Sequence, residues 1–228
     1  MKVKVITTTS DLNQTAQLER SLKHFGYDYH IIKHEWHGFL DKLHYAYHYL
    51  KQIHTEGYTH FVYTDAWDTF ALAGPEAIPE IKGLLISAER NCYPYAELAD
   101  QYPESYSPFK YVNGGGWAGE IEAFIKMYEE CPPTTEMNDQ VYLTEQFLKR
   151  HTEGWIHLDT ECFLFQTIGF CEPERDFNFI IMADLQAGRF GVEARNKLTN
   201  SNPVFWHGNG HTPMTDIYKL IPYDTETN

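Results

Sequence analysis

Asp65 and Asp68 stand three positions apart in FVYTDAWDTFAL, where an apolar run gives way to acids beside Trp67. Two carboxylates at that spacing in a turn can converge on one hard divalent cation, each offering an oxygen at ~2.1 Å for magnesium and slightly farther for manganese. Such an ion would neutralise a pyrophosphate and the charge that grows as it leaves. An Asx-turn or a helix cap would use the same acids without chemistry. Late in the chain, WHGNGH brings His207 and His211 among glycines, and imidazole is a ligand for transition ions such as manganese. His207 joins the argument only if the fold returns it to Asp65 and Asp68.

Other residues carry weaker signals of the same kind. Glu89 ends the apolar run GLLISAE and reads as a catalytic carboxylate, a supporting partner or a solvated strand end. The run NGGGWAG, from Asn113, lets backbone approach a ligand closely, or makes a tight turn. It lacks the Lys-Ser/Thr of a phosphate-binding loop and the spacing of the dinucleotide fingerprint. Asn138 and Asp139 precede an amphipathic stretch, where an N-cap is the plain role and orientation of an acceptor hydroxyl the functional one.

These residues need strands and helices to position them. Val3 to Thr9 alternates and is β-branched, so it reads as a first strand, followed by a helix begun at Asp11 or Asn13 and stopped by Gly26. YDYHIIKH, THFVYTD and GLLISAE read as further strands, with a helix from Phe39 to Ile53 whose face is Leu40, Leu43, Tyr47 and Leu50. Alternation of this kind predicts an α/β sheet with crossover connections. Pro94 to Pro108 reads as a surface loop, and YVNGGGWAGE as a glycine turn leading to a helix near Ile121 to Glu129. A second helix is expected over Asn138 to Lys149, one or two short strands in WIHLDTECFLFQ, a strand in FNFIIMADLQ, and a mobile loop over 184–203. Without linker or repeat, residues 1–228 read as a single domain.

Composition narrows the classes. The chain is 43% hydrophobic and 15% aromatic, which fits a globular core and argues against disorder. A formal charge of -14 disfavours non-specific binding to nucleic acid or anionic membrane, although a local basic patch would still admit a nucleic-acid substrate. Four cysteines without CxxC pairs suggest neither a zinc site nor a disulfide framework. The N-terminus turns polar too early for a signal peptide, and no run is long enough to span a bilayer, so a cytoplasmic setting is expected.

Taken in order, VITTT, FVYTDAWD, ISAERNCYP, YVNGGGWAGE, NDQVYLT, HLDTECFLFQ and WHGNG carry a resemblance that covers most of Lys2 to Gly210. The chain resembles the glycosyltransferase domain of the procollagen-lysine hydroxylase/glycosyltransferase enzymes and the related collagen galactosyl- and glucosyltransferases. The resemblance implies a GT-A fold, a single Rossmann-like, mostly parallel sheet flanked by helices. It also implies a UDP-sugar donor and a divalent cation, manganese or else magnesium. Asp65, Asp68 and His207 then fall at the metal ligands, with Asp65 also at the nucleotide. Trp67 falls where a ring stacks on uracil, and Thr8 where the first strand touches the nucleotide. Tyr93 falls at a tryptophan flanking the sugar pocket. Asn113, Gly114, Gly115 and Gly116 fall at the donor-sugar motif, and Gly208 and Asn209 on the loop near the diphosphate. Asn138 and Asp139 match the acidic pair, with Asp139 the first candidate base and Glu89 the second.

The chain departs from the family in three places: Asn138 replaces the first acid, Asn113-Gly114-Gly115 replaces Asn-Ser-Gly, and Tyr93 replaces tryptophan. The implied activity is transfer of glucose or galactose from a UDP-sugar to a hydroxyl acceptor, with hydroxylysine or galactosyl-hydroxylysine of a collagen-like protein as the family's acceptor. A catalytically silent UDP-sugar- or carbohydrate-binding protein on the same fold is the alternative, supported by Asn138. A nucleotidyltransferase or sugar-phosphate hydrolase would share the cation chemistry, and would be told apart by release of UMP rather than UDP.

Overall fold

The computed structural model describes residues 1–134, 137–184, 189–210 and 212–219. In chain order the elements are β1 (Val3–Thr9), α1 (Ala16–His24), β2 (Tyr29–Lys33), α2 (Leu40–Thr55), β3 (His60–Thr64), β4 (Thr69–Ala71) and β5 (Leu84–Glu89). There follow β6 (Tyr111–Glu120), α3 (Ile121–Glu130), α4 (Asp139–Arg150), β7 (Ile156–Asp159) and β8 (Phe165–Thr167). The last are α5 (Pro173–Asp176), β9 (Phe177–Asp184), β10 (Arg189–Asn196), β11 (Phe205–His207) and α6 (Thr215–Lys219).

Strands alternate their side chains between two cores, as the period of two requires. Ile6, Phe61, Tyr63 and Trp117 face one side, against Leu43, Ala46, Leu50 and Ile53 of α2, Phe124 and Met127 of α3, and Tyr142, Leu143 and Phe147 of α4. Val5, Val62 and Ala118 face the other, against Leu18 and Leu22 of α1 and the ring pair Phe165 and Phe205. Each large apolar side chain buried this way stabilises the fold by about 1.5–3 kcal/mol. The same periodicity makes the elements legible: α2 repeats its buried residues at three- and four-residue intervals, and Gly26 stops α1 in a left-handed conformation, φ +71°.

The expectation of one mostly parallel sheet needs correction. There are three sheets: a six-stranded one in the order β2-β1-β3-β6-β5-β7, a three-stranded one in the order β4-β11-β8, and the β9–β10 hairpin. In the large sheet β2, β1 and β3 are parallel, as are β5 and β7, but β6 runs antiparallel to both β3 and β5. Between β5 and β6 the chain makes an irregular excursion with a single 3-10 turn, Ala96–Gln101. With no crossover helix to carry it over the sheet face, it returns antiparallel beside β5.

The glycine run read as a turn is also corrected, because it lies inside β6, in the middle of the sheet. Gly119 at φ +143° passes so close to the partner strand that a Cβ there would lie 2.0 Å from the Gly83 carbonyl oxygen. Glycine marks close backbone approach here, which is one of its meanings within a strand. A third difference concerns 184–203, read as a mobile loop: its 189–196 portion is β10, in an unbroken antiparallel ladder with β9 from Arg189↔Asp184 to Asn196↔Phe177. Residues 185–188 of that stretch lie outside the described residues, as does His211. Among the described residues no helix is long and apolar enough to cross a membrane.

Candidate functional site

The ends of β3 and β11 make the site. Asp65 directly follows β3, and its N–H donates to the Gly115 carbonyl at 2.8 Å, so the turn leaves the sheet over β6. Asp68 directly precedes β4, which pairs antiparallel with β11 so that His207 lies opposite Thr69. The Gly208 N–H then donates to the Asp68 carbonyl at 2.8 Å. Through that register a histidine distant in sequence arrives beside the two acids.

His207 Nε2 lies 3.6 Å from Asp65 Oδ2 and 3.4 Å from Asp68 Oδ1. Ligand atoms of the three residues lie within 4.8 Å of one another, the one such group of three or more among the described residues. Its donor set, two carboxylates and an imidazole, suits a divalent transition ion. Room for the cluster comes from β6: a Cβ on Gly115 would fall 2.1 Å from His207 Cε1 and 2.9 Å from Asp65 Oδ2. The residues present fit a bound divalent cation.

Electrostatics agrees with that geometry. Burial pushes the His207 imidazole down, but Asp68 and then Asp65 outweigh it and hold its pKa above the ordinary value of 6.5. Burial pushes Asp68 up, and the His207 charge more than offsets it, holding the carboxyl below the usual range. The pair is a small, polarised concentration of charge, and its Asp68 lines a cleft.

That cleft has a volume of about 450 Å³ and is lined by Thr8, Thr9, Trp36, Phe39, Lys42, Asp65, Trp67 and Asp68, among others. Trp67 is 51% exposed and lines the cleft, with its Nε1–H tied to Thr9 Oγ1 at 2.9 Å. Trp36 and Phe39, also exposed, meet edge to face with ring centroids 5.2 Å apart. Thr8 hydrogen-bonds to the buried Tyr63 hydroxyl at 2.9 Å.

Behind the three ligand candidates lies a network of amides and one buried carboxylate. Asn113 Oδ1 accepts from the Gly115 N–H at 3.0 Å and lies 3.1 Å from His207 Nδ1. Glu89 accepts from Gln140 Nε2 and from Asn209 Nδ2, each at 2.7 Å. Asn209 Oδ1 in turn accepts from the Gly169 N–H at 2.7 Å, and Gln140 Oε1 from the Gly114 N–H at 3.1 Å. Burial raises the Glu89 carboxyl above its usual range despite these donors. Tyr93 is joined through its carbonyl, which accepts from Gln140 Nε2 at 2.9 Å, while its ring is 59% exposed.

The predicted acidic pair divides. Asn138 caps α4, its side-chain oxygen accepting from the Val141 N–H at 2.7 Å, which is the plain role its position suggested. Asp139, the first residue of α4, points into the site and meets Lys42 Nζ at 3.0 Å. Burial raises its carboxyl, against the pull of Lys42. Lys42 also reaches Asp65 Oδ1 at 2.7 Å.

Sequence reading missed Lys42, Gln140, Trp36 and Phe39. A signal existed for Lys42: it sits in the first turn of α2, where the helix dipole disfavours a cation. The structure thus lines one cleft with Asp65, Asp68, Thr8 and Trp67 and sets His207 against the two acids. Through hydrogen bonds it joins Asn113, Gly114, Gly115, Glu89, Asn209, Tyr93 and Asp139 to them.

Comparisons with known proteins agree in kind. A family model described as PLOD GT domain matches residues 1–223. An uncharacterized protein of Acanthamoeba polyphaga mimivirus is 31% identical over 180 residues, covering 73% of this chain and 36% of that protein. Procollagen-lysine,2-oxoglutarate 5-dioxygenase 1 of Homo sapiens is 26% identical over 160 residues, 67% of this chain and 21% of that one. The multifunctional procollagen lysine hydroxylase and glycosyltransferase LH3 of Pongo abelii matches at the same identity and coverage. The chain therefore spans about a third or less of the length of these relatives. In fold it is similar to the crystal structure of a glycosyltransferase involved in the glycosylation of the major capsid of PBCV-1, with a TM-score of 0.51 at 12% identity over 96% of this chain and 98% of that one.

Proposed function

The chain belongs to the PLOD GT domain family, and from that premise we propose that it transfers a hexose, glucose or galactose, from a UDP-sugar to a hydroxyl acceptor with the help of a divalent cation. The observation that carries this reading is the convergence of Asp65, Asp68 and His207, with both acids lining a cleft that Trp36, Phe39 and Trp67 also line. An aromatic wall beside a cation site suits a nucleoside diphosphate, whose base stacks and whose phosphates need charge neutralisation.

A divalent cation held by Asp65, Asp68 and His207, manganese before magnesium, would neutralise the diphosphate and the charge of departing UDP. Everything else falls to the chain itself. In this reading Trp67, held by Thr9, stacks on the base, and Thr8, which lines the same cleft, contacts the nucleotide. Gly114 and Gly115, which fall at the donor-sugar motif, leave room for Gln140 and for the His207 imidazole, and Gly208 and Asn209 carry the His207 loop. To Asp139, which meets Lys42, we assign the orientation of an acceptor hydroxyl. Glu89, the second candidate base, accepts from Gln140 and Asn209 and so ties the α4 start to the His207 loop. Hydroxylysine or galactosyl-hydroxylysine of a collagen-like protein is the acceptor class we favour, by analogy with the relatives' names.

The test is release of UDP from UDP-glucose and UDP-galactose with manganese, with and without hydroxylysine peptides. Loss in Asp65→Ala and Asp68→Ala is expected. If no common UDP-hexose binds or turns over with the ion present, the reading fails. Tight UDP binding without turnover across a broad acceptor panel would instead identify a silent sugar-nucleotide-binding protein, and release of UMP a different phosphorus chemistry.

A further inference from the structure

Lys42 is the least expected residue of the site. Its side chain is only 14% exposed, and its place in the first turn of α2 sets an ammonium against the positive end of the helix dipole. Burying a cation there requires paired carboxylates. The two it has come from different parts of the site. Asp65 Oδ1 lies 2.7 Å away at the end of β3, and Asp139 Oδ2 lies 3.0 Å away at the start of α4.

Asp65 is divided between two positive partners. Its Oδ1 serves Lys42, while its Oδ2 faces His207 and so belongs to the cluster that fits a divalent cation. Lys42 also lines the cleft itself, on the same wall as Phe39 and beside Asp65 and Trp67. One ammonium is thus within reach of a metal-ligand candidate, of the acid at the start of α4, and of the space a nucleotide would fill.

We propose that Lys42 is a positioning residue that exchanges partners: it neutralises Asp65 and Asp139 in the metal-free protein, and supports the anionic group of the donor once a divalent cation engages Asp65. The proposal rests on the sugar-nucleotide reading above. It has a consequence that a merely structural lysine lacks. Removing the charge frees Asp65 for a cation while depriving an anionic ligand of a counter-charge, so the two affinities move in opposite directions. Loss of a structural prop would weaken both.

The experiment measures manganese binding alone by electron paramagnetic resonance, and UDP binding at saturating manganese by calorimetry, in the wild-type chain, Lys42→Met and Lys42→Arg. Lys42→Met is expected to bind manganese alone about fivefold tighter or more, and UDP about tenfold weaker or more, as charges a few ångströms apart in a partly buried site require. Lys42→Arg, which keeps the charge, is expected to lie between wild type and Lys42→Met on both scales. Lys42→Gln, whose amide can hydrogen-bond both carboxylates, carries the same pair of measurements where the methionine variant does not fold. Two affinities that fall together, or that stay unchanged, overturn the proposal while leaving the cation and nucleotide site standing. A wild-type chain that binds neither manganese nor UDP overturns both readings.

Discussion

Asn113 Oδ1 faces His207 Nδ1 at 3.1 Å, on the side of the ring opposite the acids. Because that amide oxygen can only accept, the hydrogen sits on Nδ1, and Nε2 is aimed at Asp65 and Asp68. A supporting hydrogen bond of this kind typically governs metal affinity by about 10–100-fold. Asn113→Ala is therefore expected to weaken manganese binding by roughly that factor, with the melting temperature of the metal-free protein only modestly changed. Asn113→Asp, which still accepts, should recover most of the affinity by calorimetry.

Gly115 gives a sterically sharper case. A Cβ at 2.1 Å from His207 Cε1 has no room, and the His207 ring is buried and cannot swing into solvent. Gly115→Ala is expected to abolish cation binding by displacing the imidazole while the sheet stays folded, as read by circular dichroism beside manganese titration. Cation binding at wild-type strength would show that His207 is not needed for it.

The His207–Asp68 pair predicts a pH signature in the metal-free protein. His207 has a raised pKa, so its stabilising contribution is complete below 6.5 and is lost as pH rises through its folded value. Asp68 has a lowered pKa, so its contribution is present above 3.8 and is lost as pH falls through its own folded value. Both are whole between those limits. Melting temperature in chelator should fall as pH rises above 6.5 in wild type relative to His207→Asn, and the difference curve between the two is the measurement.

Trp67 offers a test of the nucleotide wall. Base–aromatic stacking contributes about 1–3 kcal/mol by alanine substitution, so Trp67→Ala should raise the UDP dissociation constant by roughly tenfold or more. Trp67→Phe keeps a ring but loses the Nε1 bond to Thr9, and should fall between the two. Manganese binding without nucleotide should be unchanged in both.

Local signals made the scaffold legible. β1, β3, β5, α2 and α3 lie close to where alternation and helical spacing put them, because each helix buries one regular face and each strand alternates between the two cores. The misread elements are those for which a partner decides. The YVNGGGWAGE run has poor strand propensity, yet it becomes β6 because β3 and β5 flank it on both edges. β10 has β9 beside it, and β4 and β11 are three-residue strands too short to show a period.

Residue types and spacing specified the kinds of chemistry available: two acids three apart, a late histidine among glycines, an aromatic between the acids and an ordered set of motifs. Tertiary structure alone decided which of them meet. The β4–β11 register carries His207 to Asp68, and the bare floor of β6 leaves space for the imidazole. Packing of α2 against α4 and β1 drives Lys42 between Asp65 and Asp139, where no local pattern would place a cation. The reason is physical: propensity and periodicity report on neighbours a few residues apart, whereas a buried charge is tolerated only where distant chain segments supply its counter-charges.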